Sequence, residues 1–502
     1  MKKQSSLTRS LFSVTIVLLL VKVLGFVKQV VTASLFGATV DTDIINLAYG
    51  FVSNSLAVIA QSLLTSVVAI YINARRQGEQ AAKQFAGDTF RAATLIGIVA
   101  SGLLFALAPF VSRILAPSYS EALLRQLTFY VRLFAPSLIL LIWISVFQSL
   151  LNANKRFFAS QLEGAYQSLA IVFVSALFAP RLGVDALAIG YWLFAAVCTV
   201  IFFLQSRFYF SVCPGNPFQN CYVQTMLRMT GPLLIGNSVV YINQIVDKSL
   251  ASGLASGTVT AMQYSSVLIH LVDTLIAALA SVLFAHMTEY LAQGKRAEVS
   301  QLCARSTLLM TLVILPVTVI TVTQARDIVA IVYGRGSFGE QEVDIAATAL
   351  VGYGFYLIPK VWLDVYSRLQ YSCQDSKTPT IINVLSIVIN IVCSIFMCQI
   401  WGVFGITFAT SLSILVNGTL NTVFARRALP ELSFTPIARA LPFLCAGVVA
   451  SLAVSRGCSE WFGDISVLLR LCLTTLFVFL TYGVVTIPVL RQIGVVKRFL
   501  RR

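Results

Sequence analysis

The sequence predicts an all-α polytopic membrane protein, with about fourteen transmembrane helices arranged as two parallel six-helix lobes plus two C-terminal helices. Three observations lead there. Of the 502 residues, 58% are hydrophobic and only 11% charged, and the mean hydropathy is +0.85, a balance that water-soluble globular chains do not keep. Apolar runs long enough to cross roughly 30 Å of hydrocarbon recur along the whole chain. Lysine and arginine gather in alternate loops, as in a chain threaded back and forth through a bilayer.

The net charge is +16. In such a chain the excess belongs to cytoplasmic loops and to contacts with anionic membrane lipids, so nucleic acid is not implied. The ten cysteines are scattered, several within apolar runs, and read as small apolar residues. Cys213 and Cys221 flank PGNPFQN, but no CxxC pair has metal spacing. With His270 and His286 as the two histidines there is no HExxH. No Walker loop, GxSxG elbow or GxGxxG fingerprint occurs. The sequence therefore predicts a transporter with no catalytic residues, no metal site and no nucleotide site. The first apolar run is too long for a signal peptide, and no cleavage site follows it.

The first span, 10–35, carries Lys22 and Lys28 with Gly25 midway. At 100° per residue each lysine lies about 60° to either side of Gly25, and their Cα atoms are about 9 Å apart along the axis. A charge at such depth costs roughly 2.5–3.5 kcal/mol, so it faces water or a partner. Two readings stand: the lysines snorkel to the headgroups, or their face lines a cavity for an anionic ligand. The later spans are placed at 43–72, 90–112, 123–151, 159–179, 185–205, 225–253, 259–290, 304–324, 342–371, 379–400, 402–424, 437–455 and 465–490.

Loop charge sets the orientation. Lys2, Lys3 and Arg9, then Arg75, Arg76 and Lys83, Lys155 and Arg156, Lys295 and Arg296, Arg426 and Arg427, and the tail Lys497, Arg498, Arg501 and Arg502 all fall on one side. Loops 36–42 and 254–258 carry no Lys or Arg. Both termini are therefore expected in the cytoplasm. The exception is loop 325–341, which holds Arg326 and Arg335 beside Asp327 and Glu340. Within it Gly334-Arg335-Gly336-Ser337-Phe338-Gly339 reads as a turn-rich extracellular segment.

The chain also repeats. Gln77-Gly78-Glu79-Gln80-Ala81 matches Gln293-Gly294-Lys295-Arg296-Ala297, Gly37-Ala38-Thr39-Val40 matches Ser256-Gly257-Thr258-Val259, Asn154-Lys155-Arg156 matches Asp375-Ser376-Lys377, and Gly183-Val184 matches Gly402-Val403. The shared offset of about 220 residues argues for a duplication of six helices. The lobes are assigned to 1–210 and 222–428, with two additional helices and a basic tail in 435–502. Substrate sites in duplicated carriers lie between the repeats near the midplane.

Further charges lie inside spans. Helix 7 carries Asp247 and Lys248; Asp247 either neutralises Lys248 or binds a coupling cation. His270 and Asp273 on helix 8 are three apart and share a face, as a polar pair at a helix contact or as part of the cavity. Lys360 and Asp364 on helix 10, four apart, read as a structural ion pair. The substrate-binding set expected from the sequence is thus Lys22, Gly25, Lys28, Lys248, His270 and Asp273, with Asp247 for ion coupling.

Lys22-Val23-Leu24-Gly25-Phe26, Phe36-Gly37-Ala38 with Asp41-Thr42-Asp43, Leu254-Ala255-Ser256-Gly257-Thr258-Val259, and above all Gln374-Asp375-Ser376-Lys377-Thr378-Pro379 resemble the MurJ (MviN) family. That family lies within the multidrug/oligosaccharidyl-lipid/polysaccharide exporter superfamily. The resemblance covers most of the chain and implies fourteen helices in the bacterial cytoplasmic membrane. It also implies flipping of an undecaprenyl-diphosphate-linked glycan, lipid II for peptidoglycan or a related lipid-linked oligosaccharide, to the outer leaflet by alternating access. It suggests a groove for the polyprenyl tail on helices 13 and 14. Na+, H+ or the membrane potential would drive the cycle, with no cofactor. The chain reads as a divergent member: the family's helix 1 arginines match Lys22 and Lys28, its arginines on helices 2 and 8 are replaced by Leu56 and Val267, and its helix 2 acid by Gln61. The rival readings are a cation-coupled multidrug exporter of the same superfamily and a non-transporting scaffold.

Overall fold

The structure is a computed structural model that describes residues 20–211, 214–462 and 465–493. Residues 10–19 of the first expected span, Lys2, Lys3, Arg9, Cys213 and the tail Lys497–Arg502 lie outside the described residues. Every long element is helical. The first unit comprises residues up to Thr260 together with Arg335–Phe338. It holds α1 (20–36), α2 (Val40–Gln77), α3 (Glu79–Leu115), α4 (Glu121–Phe134), α5 (Ser137–Ala153), the single turn α6 (Phe157–Ser160), α7 (Glu163–Leu182), α8 (Asp185–Ser206) and α9 (Cys221–Ser252).

Local chemistry sets the ends of these helices. α1 stops at Gly37, whose φ of 64° is open to glycine at little cost. Thr39 and Thr42 then form a reciprocal capping box that starts α2, and Asp41 and Asp43 in its first turn favour the positive end of the helix dipole. α4 and α5 are bent by 42° at Ala135-Pro136, where proline cannot donate to the helix ladder. α3 shows what surrounds the bundle. Val99 is 61% and Phe110 62% exposed, an apolar face that would be untenable in water and suits acyl chains.

Small polar residues tie helices of this unit together. Thr230 and Ser66 share a hydrogen bond of 2.8 Å, and Asn237 donates to Ser62 at 3.1 Å, tying α9 to α2. In lipid such contacts, with small side chains that permit close approach, replace the hydrophobic drive of soluble packing. α9 thus packs within the first unit, whereas the lobe expected from the sequence starts at 222.

The second unit comprises Ala261–Gly334 and Gly339 onward. It holds most of α10 (Thr258–Ala292), then α11 (Arg296–Thr323), α12 (Ala325–Tyr333), α13 (Glu340–Gly354), α14 (Leu357–Ser372), α15 (Lys377–Ala428), α16 (Thr435–Trp461), α17 (Val467–Val485) and α18 (Ile487–Ile493). α15 is two helices joined at Gly402, whose φ of 58° interrupts the ladder, at the break expected between 400 and 402. Asp375 receives the Thr378 amide at 3.0 Å and caps the start of α15. The last helices pack on α11 through Leu308, Ala440, Leu444, Tyr482 and Val489.

The basic exception at 325–341 is balanced by acid. Arg326 pairs with Asp344 at 2.7 Å and with Glu340, and Arg470 of α17 grips Asp327 of α12 through two hydrogen bonds of 2.8 and 2.6 Å. Among the described residues ten helices are long and apolar enough to cross a membrane, or eleven when α4 and α5 count as one bent span. They overlap expected spans, Lys377–Ala428 covering two of them, but 10–35 and 225–253 are not among them.

Candidate functional site

The sequence-derived residues divide between the units. Lys22, Gly25, Lys28, Asp247 and Lys248 stand in the first, and His270, Asp273, Lys360 and Asp364 in the second. Lys22 is exposed, Lys28 half-buried, and a Cβ built on Gly25 would meet nothing within 4 Å. The space beside Gly25 is therefore open. Among the described residues neither lysine forms an ion pair. Val21, next to Lys22, rests on α7, where a Cβ at Gly164 would come within 2.7 Å of its Cγ1. This contact seats the inner stretch of α1.

Lys248 is half-buried, and its Nζ lies 2.6 Å from the position a Cβ would take on Gly50 of α2. The absence of a side chain at Gly50 lets the ammonium lie against the helix backbone. Lys248 forms no ion pair among the described residues. Asp247 is only 8% exposed and receives Asn243 Nδ2, one turn earlier, at 3.4 Å.

In the second unit the two charge pairs read separately from the sequence are one chain. His270 Nδ1 lies 3.8 Å from Asp273 Oδ2, Asp273 Oδ1 lies 3.6 Å from Lys360 Nζ, and Lys360 Nζ reaches Asp364 Oδ1 at 2.8 Å. Lys360 is shared by two carboxylates from α10 and α14, so the intrahelical pair is also an interhelical one. Shared charge of this kind is how spanning helices hold ionisable groups away from lipid.

A further polar cluster escaped sequence reasoning. Asp43, 2% exposed, receives the Thr260 amide at 2.7 Å, and Asn46 donates to the Thr260 hydroxyl at 3.0 Å. Asp43 thus caps the beginning of α10. Beside it Ser337 donates its amide to Ser34 O at 2.8 Å and its hydroxyl to Leu35 O at 3.1 Å. Three glycines permit the approach: a Cβ on Gly37, Gly257 or Gly336 would overlap the carbonyl oxygen of Ser337, Ala38 or Ser34 respectively. The segment expected to be a turn-rich external loop is a turn whose residues Arg335–Phe338 lock onto the end of α1. The signal was present in the positive-φ glycines and the Asp41-Thr42-Asp43 run, but not the partner each would meet.

Comparison with known proteins bears on this arrangement. A family model described as Lipid II flippase MurJ matches residues 32–480. A probable lipid II flippase MurJ of Buchnera aphidicola subsp. Schizaphis graminum is 22% identical over 422 residues, covering 82% of each chain. One from Borreliella burgdorferi is 24% identical over 410 residues, covering 79% of this chain and 78% of the relative. Among solved structures, lipid II flippase MurJ in an inward closed conformation matches with a TM-score of 0.80 at 18% identity, over 97% of this chain and 99% of that one. An inward-facing multidrug resistance MATE family transporter of the MOP superfamily matches with a TM-score of 0.68 at 12% identity, over 82% and 94%.

Proposed function

The chain belongs to the MurJ family of lipid II flippases, and from that premise we propose that it moves a polyprenyl-diphosphate-linked glycan, lipid II or a related lipid-linked oligosaccharide, from the cytoplasmic to the outer leaflet. The observation that carries the reading is three lysines within long apolar helices of the first unit, Lys22, Lys28 and Lys248, that form no ion pair among the described residues. A diphosphate needs cationic donors, and these bind it most firmly where water is scarce. An ammonium serves as a point charge rather than a fork, so several lysines would share the diphosphate where arginine would grip it two-handed. Each tail methylene left in lipid keeps about 0.8 kcal/mol of burial. Only the head would therefore cross.

The fourteen-span topology is part of the proposal. It takes α15 as two spans, α4 with α5 and α13 with α14 as one each, and α1 and α9 as spans beside the remaining long helices. Both termini then face the cytoplasm, and the cluster around Asp43, Gly257 and Ser337 faces outward. Opening and closing of that cluster would be one half of alternating access, powered by an ion gradient or the membrane potential. A drug exporter of the same superfamily would call for carboxylates where α1 presents lysines.

The test is flipping of a labelled lipid-linked precursor in vesicles, read by a membrane-impermeant quencher. Lys22→Ala or Lys28→Ala should slow it by roughly tenfold to a hundredfold, the worth of one charge-assisted hydrogen bond at about 1.5–3 kcal/mol. Lys→Arg should be tolerated at one position or both. Alanine variants that flip at the normal rate would show the lysines to be snorkellers and end the reading.

A further inference from the structure

α2, α5, α7, α8 and α9 line a cavity of about 260 Å³ in the first unit. One carboxylate borders it, Glu163 in the first turn of α7. Around it stand the carboxamides of Gln61, Gln148 and Gln167 and the phenols of Tyr49 and Tyr241. Two of the carboxamides are held in place. Gln148 donates to Glu163 Oε2 at 3.3 Å and to the Ser160 carbonyl at 2.8 Å, and Gln167 donates to the Tyr49 hydroxyl at 2.8 Å. Tyr49 is in turn stacked on Tyr191 with ring centroids 3.5 Å apart. A carboxamide whose nitrogen is committed in this way keeps its oxygen for another partner.

Glu163 has no cationic partner among the described residues; its neighbours are neutral amides, the phenols of Tyr49 and Tyr241, and the Cys198 thiol. A carboxylate in a spanning helix without a counter-charge is costly. One negative charge amid neutral oxygen donors matches a small, hard, singly charged cation, since hard cations take oxygen ligands and a divalent ion would call for more carboxylates. At about 30 Å³ per water, the cavity also has room for waters that would accompany such a cation in and out.

We propose that this cavity is a monovalent-cation site, with Na+ or H+ held by Glu163 and oriented by Gln148, Gln167 and Tyr49, and that it couples the gradient to transport. Its purpose rests on the flippase reading; its test does not. Purified full-length chain in lipid nanodiscs is titrated in two arms, radiosodium binding at fixed pH and proton uptake in weakly buffered solution with an indicator dye. The wild type should bind one equivalent in one of the arms. Glu163→Gln should lose it, and Gln167→Leu, which keeps the carboxylate, should weaken it by about tenfold, the loss of one oriented donor set. Should Glu163→Gln fail to fold, Gln167→Leu decides. Equal binding by wild type and variants in both arms, or loss of the equivalent in Asp247→Asn with retention in Glu163→Gln, overturns the proposal. Neither assay contains a lipid substrate, so a negative result leaves the flippase reading standing, and a failure of flipping leaves the cation result intact.

Discussion

Gly257→Ala tests whether the cluster at the end of α1 is a closed contact that has to open. Gly257 has a φ of +81°, where an L side chain costs about 1–2 kcal/mol. An added Cβ would also overlap the Ala38 carbonyl oxygen. That atom belongs to the backbone and cannot rotate away, so the strands of chain at 37–39 and 256–258 must separate. Separation draws the Thr260 amide from Asp43, now 2.7 Å apart, and a hydrogen bond to a charged acceptor is worth about 1.5–3 kcal/mol. Together the two effects weaken closure by about 3–5 kcal/mol. At 1.4 kcal/mol per decade this is about two to three and a half orders of magnitude in the closed-to-open ratio. The assay is disulfide formation between cysteines placed by Ser34→Cys and Ser337→Cys, whose backbones are hydrogen-bonded at 2.8 Å, in a chain freed of its native cysteines. With Gly257 the pair should cross-link rapidly under mild oxidant; with Gly257→Ala the rate should fall by at least about tenfold, since the part of the shift that reaches position 337 is smaller than the whole. An unchanged rate in a folded protein would refute the argument that the glycines hold this contact shut.

Reporter fusions at Arg502 and at Gly257 should report opposite sides of the membrane, because the basic loops alternate with weakly charged ones; the same side for both would overturn the topology. Asp375→Ala should cost about 1 kcal/mol through loss of the cap on α15, read as a lower Tm. The Thr378 amide holds the Asp375 carboxyl below the usual carboxylate range, so its contribution is complete above the unfolded value near pH ~4 and is lost as pH falls through the folded one. In the alanine variant that acid-limb loss should disappear. Arg470→Ala strands Asp327, which is 8% exposed, and should cost about 3 kcal/mol, whereas Arg470→Met with Asp327→Leu should recover most of it. A melting temperature equal to wild type in the single variant would show the pair to be dispensable.

The spanning elements were legible in the sequence because crossing a bilayer is a local demand. Enough apolar residues in a row and a Gly402 at a break announce themselves without reference to the rest of the chain, whereas the bend at Pro136 falls inside what reads as the single span 123–151. The lysines of α1 were legible for the same reason, since an ionisable residue within an apolar run stands out by itself. Partnership was not legible. In lipid both the neighbouring helix and the acyl chains are apolar, so no stripe marks the packing face. Only the tertiary structure joined His270–Asp273 to Lys360–Asp364, two pairs that look self-sufficient at helical spacing. It alone placed α9 within the first unit, across the lobe boundary expected from the sequence. The carboxamides of Gln61, Gln148 and Gln167 come from three helices, and each alone reads as an ordinary polar residue; packing gathers them around Glu163. Likewise Gly336 and Ser337 read as a turn from their residue types, but that the turn closes on Ser34 and Leu35, about 300 residues earlier, is decided by contact geometry that no local pattern encodes.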